Sequence, residues 1–259
     1  MNLIEVISVT NPNMIADAWN VFIKYKSLLL IGVRNTLIVA LIGTLVGLLI
    51  GLVIGAIRAV TQNKEASDSA FIRIIKKIGY LITSIYVSIF RGTPMMVQAM
   101  FLFYALKPIL NWNPISAACV IISINTGAYM AEIIRSGIQS VDRGQSEAAR
   151  SIGMTSIQTM RYVILPQAIK NAFPSIGNEF IVNIKDSSVL SVIGFSELFW
   201  QAKSIAGSTF STSEPFLVVA VMYFILTYAT AMLLNYFEGR INHTKSSFPA
   251  SQTVEDSTY

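Results

Sequence analysis

Long apolar stretches alternate with short polar ones along this chain, and the polar ones collect most of the charge. Leu37–Ile57 and Phe216–Leu234 are nearly unbroken aliphatic and aromatic runs. Each has roughly 20 residues, the length an α-helix needs to cross about 30 Å of hydrocarbon at 1.5 Å per residue. The pattern predicts five spans, near residues 32–57, 80–108, 114–135, 170–195 and 215–236. Between the first two, Phe71, Ile74, Ile75 and Ile78 recur on one helical face of a basic segment, the pattern of a helix lying in the interface. The stretch Met14–Leu30 is moderately amphipathic, and "KPILNWNP" reads as a short turn before the third span. Residues 1–27 are expected to form an amphipathic, extracytoplasmic N-terminal segment, 28–240 the transmembrane domain, and the Ser/Thr-rich 241–259 a disordered tail.

Composition supports this reading. Of 259 residues, 53% are hydrophobic and 13% charged, against about 25% charged in soluble domains. The fold class expected is an all-α integral membrane protein. Its start lacks the order of a cleaved signal and is read as retained. Arg58, Lys64, Arg73, Lys76 and Lys77 follow the first span, and Arg135, Arg143, Arg150 and Arg161 follow the third. The other connections carry Lys107 and Lys203. The positive-inside rule therefore puts the N-terminus outside and the C-terminus inside, although Lys24, Lys26 and Arg34 pull the other way.

The lone Cys119 excludes an internal disulfide, and with the lone His243 it argues against a Cys/His metal cluster or a His-dependent nucleophile. No phosphate-cradling Gly-x-x-x-x-Gly-Lys-Ser/Thr is present, so ATP and Mg are not expected on this chain. Neither a cofactor nor a bound metal is expected, and no nucleic acid.

The polar segment Gly144–Pro166, "GQSEAARSIGMTSIQTMRYVILP", has an order of its own. Glu147-Ala148-Ala149 opens a helix expected to stop near Gly153. Thr155 or Ser156 is a plausible N-cap for a second short helix, and Pro166 marks an expected bend into the membrane. Such a pair would make a rigid cytoplasmic knob. Glu147, Ala148, Ala149, Gly153, Val163, Leu165 and Pro166 resemble the coupling-loop motif of permease subunits of bacterial ABC importers, with Val163 where Ile is usual. "FRGTPMMVQ", "GAYMAEIIRSGIQSVDRGQSEAARSIGM" and "NIKDSSVLSVIG" narrow the resemblance to the polar amino acid uptake branch, over about residues 28–240.

The resemblance implies a transport subunit and not an enzyme, in a bacterial cytoplasmic membrane. It implies a second permease subunit, a separate cytoplasmic ATPase homodimer that binds ATP and Mg, and an extracytoplasmic solute-binding protein. The ATPase contact implied is Glu147, Ala149, Arg150 and Gly153, with Ala148, Leu165 and Pro166 completing the loop.

Charges within a span are costly and default to function. Glu179, Asn183 and Asp186 fall at i, i+4 and i+7, one helical face, expected to look into the bundle toward an amino acid. The alternative is an inter-helix polar network that fixes packing. Arg91-Gly92-Thr93-Pro94 breaks the second span as a structural hinge, and Gln98, one turn on, is expected to face the same pathway. Rival functions are an ion-coupled secondary amino acid transporter, or a channel or anchor that recruits a soluble enzyme. The first would usually show inverted repeats with paired broken helices, and no internal repeat is found.

Overall fold

The computed structural model describes residues 13–62 and 69–242. Among these there is no strand, in line with an all-α membrane protein. The expected disordered tail, beyond its first two residues, and the first 12 residues of the N-terminal segment lie outside the described residues.

Helix α1 (Met14–Gln62) bends at Tyr25, where φ is −109° and ψ is 15°. The bend separates the amphipathic start from the span proper. That start does not float free: Ala18, Val21 and Phe22 pack with Ile205 and Val218 in an apolar core. The second half of α1 carries a glycine at every fourth position, Gly43, Gly47, Gly51 and Gly55. Glycine costs about 1 kcal/mol against alanine inside an aqueous helix, and the compensation is close approach. A Cβ on each glycine would stand 2.8, 2.7, 2.4 and 2.9 Å from Ile122, Thr126, Met130 and Ile134 of α4 (Pro114–Gln139). The register is constant along this seam, so α1 and α4 run parallel with backbones nearly touching, as small-residue seams allow in membranes.

Parallel neighbours require the chain to return between them. It does so through α2 (Ala70–Gly92) and α3 (Met95–Leu110). The expected interfacial helix and the start of the second span are one continuous helix, because nothing between Ala70 and Gly92 breaks it. Its Ser69 N-cap accepts from Ile72 N at 3.3 Å. Asn111, at φ 44°, ends α3, and Asn113 caps α4 by accepting from Ser116 N at 2.9 Å, which makes the expected turn.

Beyond α4 come α5 (Arg143–Ser151), the single turn α6 (Ser156–Thr159), a π-turn (Met160–Ile164) and α7 (Leu165–Asp186). Pro166 does not bend the chain as expected. It sits in the first turn of α7, where a missing N–H is tolerated, and the widened π-turn before it lets the helical path run on. A 3-10 segment (Ser187–Ile193) then leads to α8 (Leu198–Thr209) and α9 (Ser213–Asn242). Helix α8 was not foreseen. Its cap is the buried Glu197, which accepts from Phe199 N and Trp200 N at 2.7 Å and from Tyr223 Oη at 2.6 Å.

By length and composition, 14–58, 114–139 and 213–240 can each cross a bilayer. The expected second and fourth spans fall on α2–α3 and on α7, which are more polar: α2 holds Arg73, Lys76 and Lys77, and α7 holds Lys170, Glu179, Lys185 and Asp186. Leu45, Leu49, Val53, Ile82, Phe101, Phe224 and Ile225 are all exposed. A soluble monomer rarely shows so much apolar surface, but lipid accepts it.

Candidate coupling knob and translocation cleft

The knob is built from local rules. Asp142 caps α5, its Oδ1 accepting from Gly144 N at 2.7 Å. At the other end Gly153 N donates to Arg150 O at 2.9 Å and Met154 N to Ala149 O at 3.1 Å. This is the paired closure of a Schellman motif, which requires a left-handed residue between, and Gly153 has φ +85°. Thr155 then caps α6 in a capping box with Gln158, as one of the two expected N-caps. The knob is tied to the bundle by Gln167 Nε2 donating to Gln145 Oε1 (3.3 Å), and beside it Asn171 Nδ2 donates to Ser140 Oγ (3.0 Å), joining α7 to the end of α4.

Glu147, Ala148, Arg150, Gly153 and Pro166 are exposed on it, and Leu165 is half-buried. Ala149 differs from the expected exposed surface: it is buried within the chain and seats α5. Two residues outside the motif are exposed instead. Ile152 and Ile157 flank the Gly153 turn at 79% and 78% exposure, beside the polar face of α5. Both isoleucines thus stand exposed at a sharp turn next to Arg150.

Between α2, α4 and α7 lies a cleft of about 750 Å³ lined by Arg91, Tyr129, Glu132, Arg135, Asn178 and Glu179, among others. Of the expected pathway residues only Glu179 lines it. Asn183 is 2% exposed and fully engaged. It accepts from Thr126 Oγ1 and donates to Thr44 Oγ1, both at 2.9 Å, so it pins α7 to α4 and α1. Asp186 sits half-buried beyond the cleft lining, at the end of α7.

Gln98 is likewise a packing residue and not a pathway residue. Pro94 has no N–H for the carbonyl of Phe90, which a regular helix would require. Gln98 Nε2 donates to Phe90 O at 3.0 Å and Thr93 O at 2.9 Å, while its Oε1 accepts from Asn125 Nδ2 at 2.8 Å. Thus Thr93 and Pro94 break the helix, as expected of a hinge, and Gln98 with Asn125 satisfies what the break exposes. Gly92 has open space around it.

Glu132, which is not among the expected pathway residues, is the centre of charge in the cleft. Arg58 Nη1 bonds its Oε1, and Arg135 Nε and Nη2 bond its Oε2 at 2.9 and 2.8 Å. Arg91 stands 3.9 Å from Oε2, with its guanidinium over the Tyr129 ring at 5.3 Å.

The bundle thus combines a hydrogen-bonded polar knob with a charged cleft between α2, α4 and α7. The chain belongs to the family of binding-protein-dependent transport system inner membrane components, whose model matches residues 66–243. It is similar to the glutamine transport system permease protein GlnP of Escherichia coli K12, at 40% identity over 61% of this chain and 73% of that one. It is also 38% identical to the probable glutamine ABC transporter permease protein GlnM of Bacillus subtilis, over 66% and 79%. Among solved structures, an amino acid ABC transporter crystallised with histidines matches at TM-score 0.73 and 40% identity, over 85% of this chain and 96% of that one. The inward-facing MetNI methionine transporter shares the fold at TM-score 0.73 and 22% identity, over 83% and 97%. The chain is therefore an ABC importer permease, a transport subunit of the inner membrane; ATPase and binding-protein partners are general to its family.

Proposed function

We propose that this chain forms an amino acid pathway together with a second permease subunit and couples it to a cytoplasmic ATPase homodimer through Glu147–Pro166. ATP and Mg are held by the ATPase, and the extracytoplasmic solute-binding protein delivers the amino acid to the opposite end of the bundle. In this reading there are five spans, with α2–α3 as one broken span, and the N-terminus is outside. The parallel run of α1 and α4 supports one return crossing between them. The carrying observation is the knob: a turn locked by Gly153 at φ +85°, hydrogen-bonded to α7 through Gln145, with Ile152 and Ile157 offered outward. Helix α7 links the knob to the cleft wall that carries Glu179, so a push on the knob reaches the pathway through one rod. Glu179 is the group for the substrate's ammonium.

The test is reconstitution of the permease with its ATPase and binding protein in vesicles. Uptake should require ATP and persist when the proton gradient is collapsed. Ile152→Asp together with Ile157→Asp should release the ATPase and abolish uptake while the permease stays in the membrane. Uptake driven by the proton gradient without ATP would replace this reading with a secondary transporter.

A further inference from the structure

The cleft has two cationic groups on its wall, and their positions differ. Arg135 is spent: both its Nε and Nη2 bond Glu132 Oε2. Arg58 holds the other oxygen, Oε1, and is itself nearly buried. Glu132 is thereby matched twice over before Arg91 is considered. Arg91 remains 44% exposed in its side chain, and the nearest Glu132 oxygen lies at 3.9 Å, beyond hydrogen-bond range. Its guanidinium is held over the face of Tyr129, which fixes its plane without using its N–H donors. A positioned guanidinium with free donors in a protein-walled cleft fits a carboxylate, which it can take through two parallel N–H···O bonds.

Glu179 enters the same cleft from α7 while Arg91 enters from α2. One carboxylate and one available guanidinium from different helices form the counterpart of a zwitterion. At about 30 Å³ per water-sized group, a cleft of about 750 Å³ holds a small amino acid with its hydration. We propose that Arg91 receives the α-carboxylate of the transported amino acid while Glu179 receives its ammonium. This rests on the reading of the cleft as an amino acid pathway. It separates the Arg-Gly-Thr-Pro segment into two jobs: Thr93 and Pro94 break the helix, and Arg91 reads substrate. It also makes the free α-carboxylate a requirement of the permease itself, independent of the binding protein.

The experiment uses the purified permease–ATPase complex without binding protein. It is equilibrated with an equimolar mixture of the twenty free amino acids or of their α-amides, and retained ligand is quantified by mass spectrometry. The native complex should retain at least one acid over its amide by roughly 10- to 100-fold, the scale of a charge-assisted hydrogen bond lost. Arg91→Gln should retain acid and amide alike, and Arg91→Lys, which keeps the charge but not the fork, should keep part of the preference. Equal retention of acids and amides by the native complex, retention of no free amino acid, or a native-like preference in Arg91→Gln overturns the proposal. The native ratio needs no variant, so a misassembled Arg91→Gln leaves it readable. ATP-driven uptake by the native complex with no acid-over-amide preference would remove Arg91 from this role and leave the pathway standing. Absence of ATP-driven uptake would remove the pathway reading itself.

Discussion

Gly51→Ala adds a single methyl group to this molecule at its tightest point. The new Cβ would stand 2.4 Å from Met130 Cβ, 2.7 Å from the Met130 carbonyl carbon and 2.8 Å from Ala131 N. Carbon atoms settle at about 3.5–4.0 Å, so α1 and α4 would have to part locally by about 1 Å. The obstacle is backbone, and no side-chain rotation relieves it. Overpacking costs about 1–3 kcal/mol where neighbours can adjust, and this site belongs at the upper end. On the scale of domains of this size, about 3 kcal/mol corresponds to roughly 6–12 °C in melting temperature. The assay is thermal melting of the purified permease in detergent, beside Gly207→Ala, whose Cβ would meet nothing within 4 Å. Gly207→Ala should melt at or slightly above the native temperature, since alanine favours the helix. A Gly51→Ala protein melting within about 2 °C of native would refute the claim that the two backbones are in contact.

Three further outcomes follow from named contacts. Gly153→Ala forces a Cβ into the left-handed region at about 1–2 kcal/mol; with open space around it, the strain is in the backbone alone. It should raise ATP hydrolysed per solute transported, and Gly153→Asn should do so less. Asn183→Leu removes two inter-helix hydrogen bonds, worth about 0.6 kcal/mol each in membrane bundles; detergent melting should fall by a few degrees, and the substrate preference should hold. Gln98→Ala leaves the carbonyl of Thr93 without this donor, while Asn125 Nδ2 still reaches Phe90 O at 3.3 Å; at about 1–3 kcal/mol for the orphaned group, it should lower the melting temperature at least as much as Asn183→Leu does.

The parts of the fold governed by short-range rules were legible in the sequence. Apolar run lengths marked the membrane helices, Pro and Asn marked the turn before α4, and Thr155 was one of two caps named for α6. The knob was legible because its spacing repeats a known motif and its chemistry is local. What escaped depends on partners far along the chain. Asn183 shares a helical face with Glu179, so periodicity gave both the same role; Thr44, 139 positions away, makes one of them a pin. Gln98 was misassigned because a polar side chain in a span can serve a cavity or a backbone break, and only the fold shows which carbonyls need it. The every-fourth glycines of α1 are visible in the sequence, but only the fold shows the neighbour, α4, against which they press. Helix α8 lacks a long apolar stripe and owes its start to Glu197, whose third donor, Tyr223, comes from α9.

The glycine seam sets what can move. Two helices meshed at four successive turns cannot slide, because a shift of one residue would drive the larger neighbours of Gly43, Gly47, Gly51 and Gly55 into the α4 backbone. The α1–α4 pair is thus the stator of the machine. Any cycle that opens the cleft to one side and then the other must turn its remaining walls, α2 at the Thr93–Pro94 joint and α7 on its knob, around that fixed post.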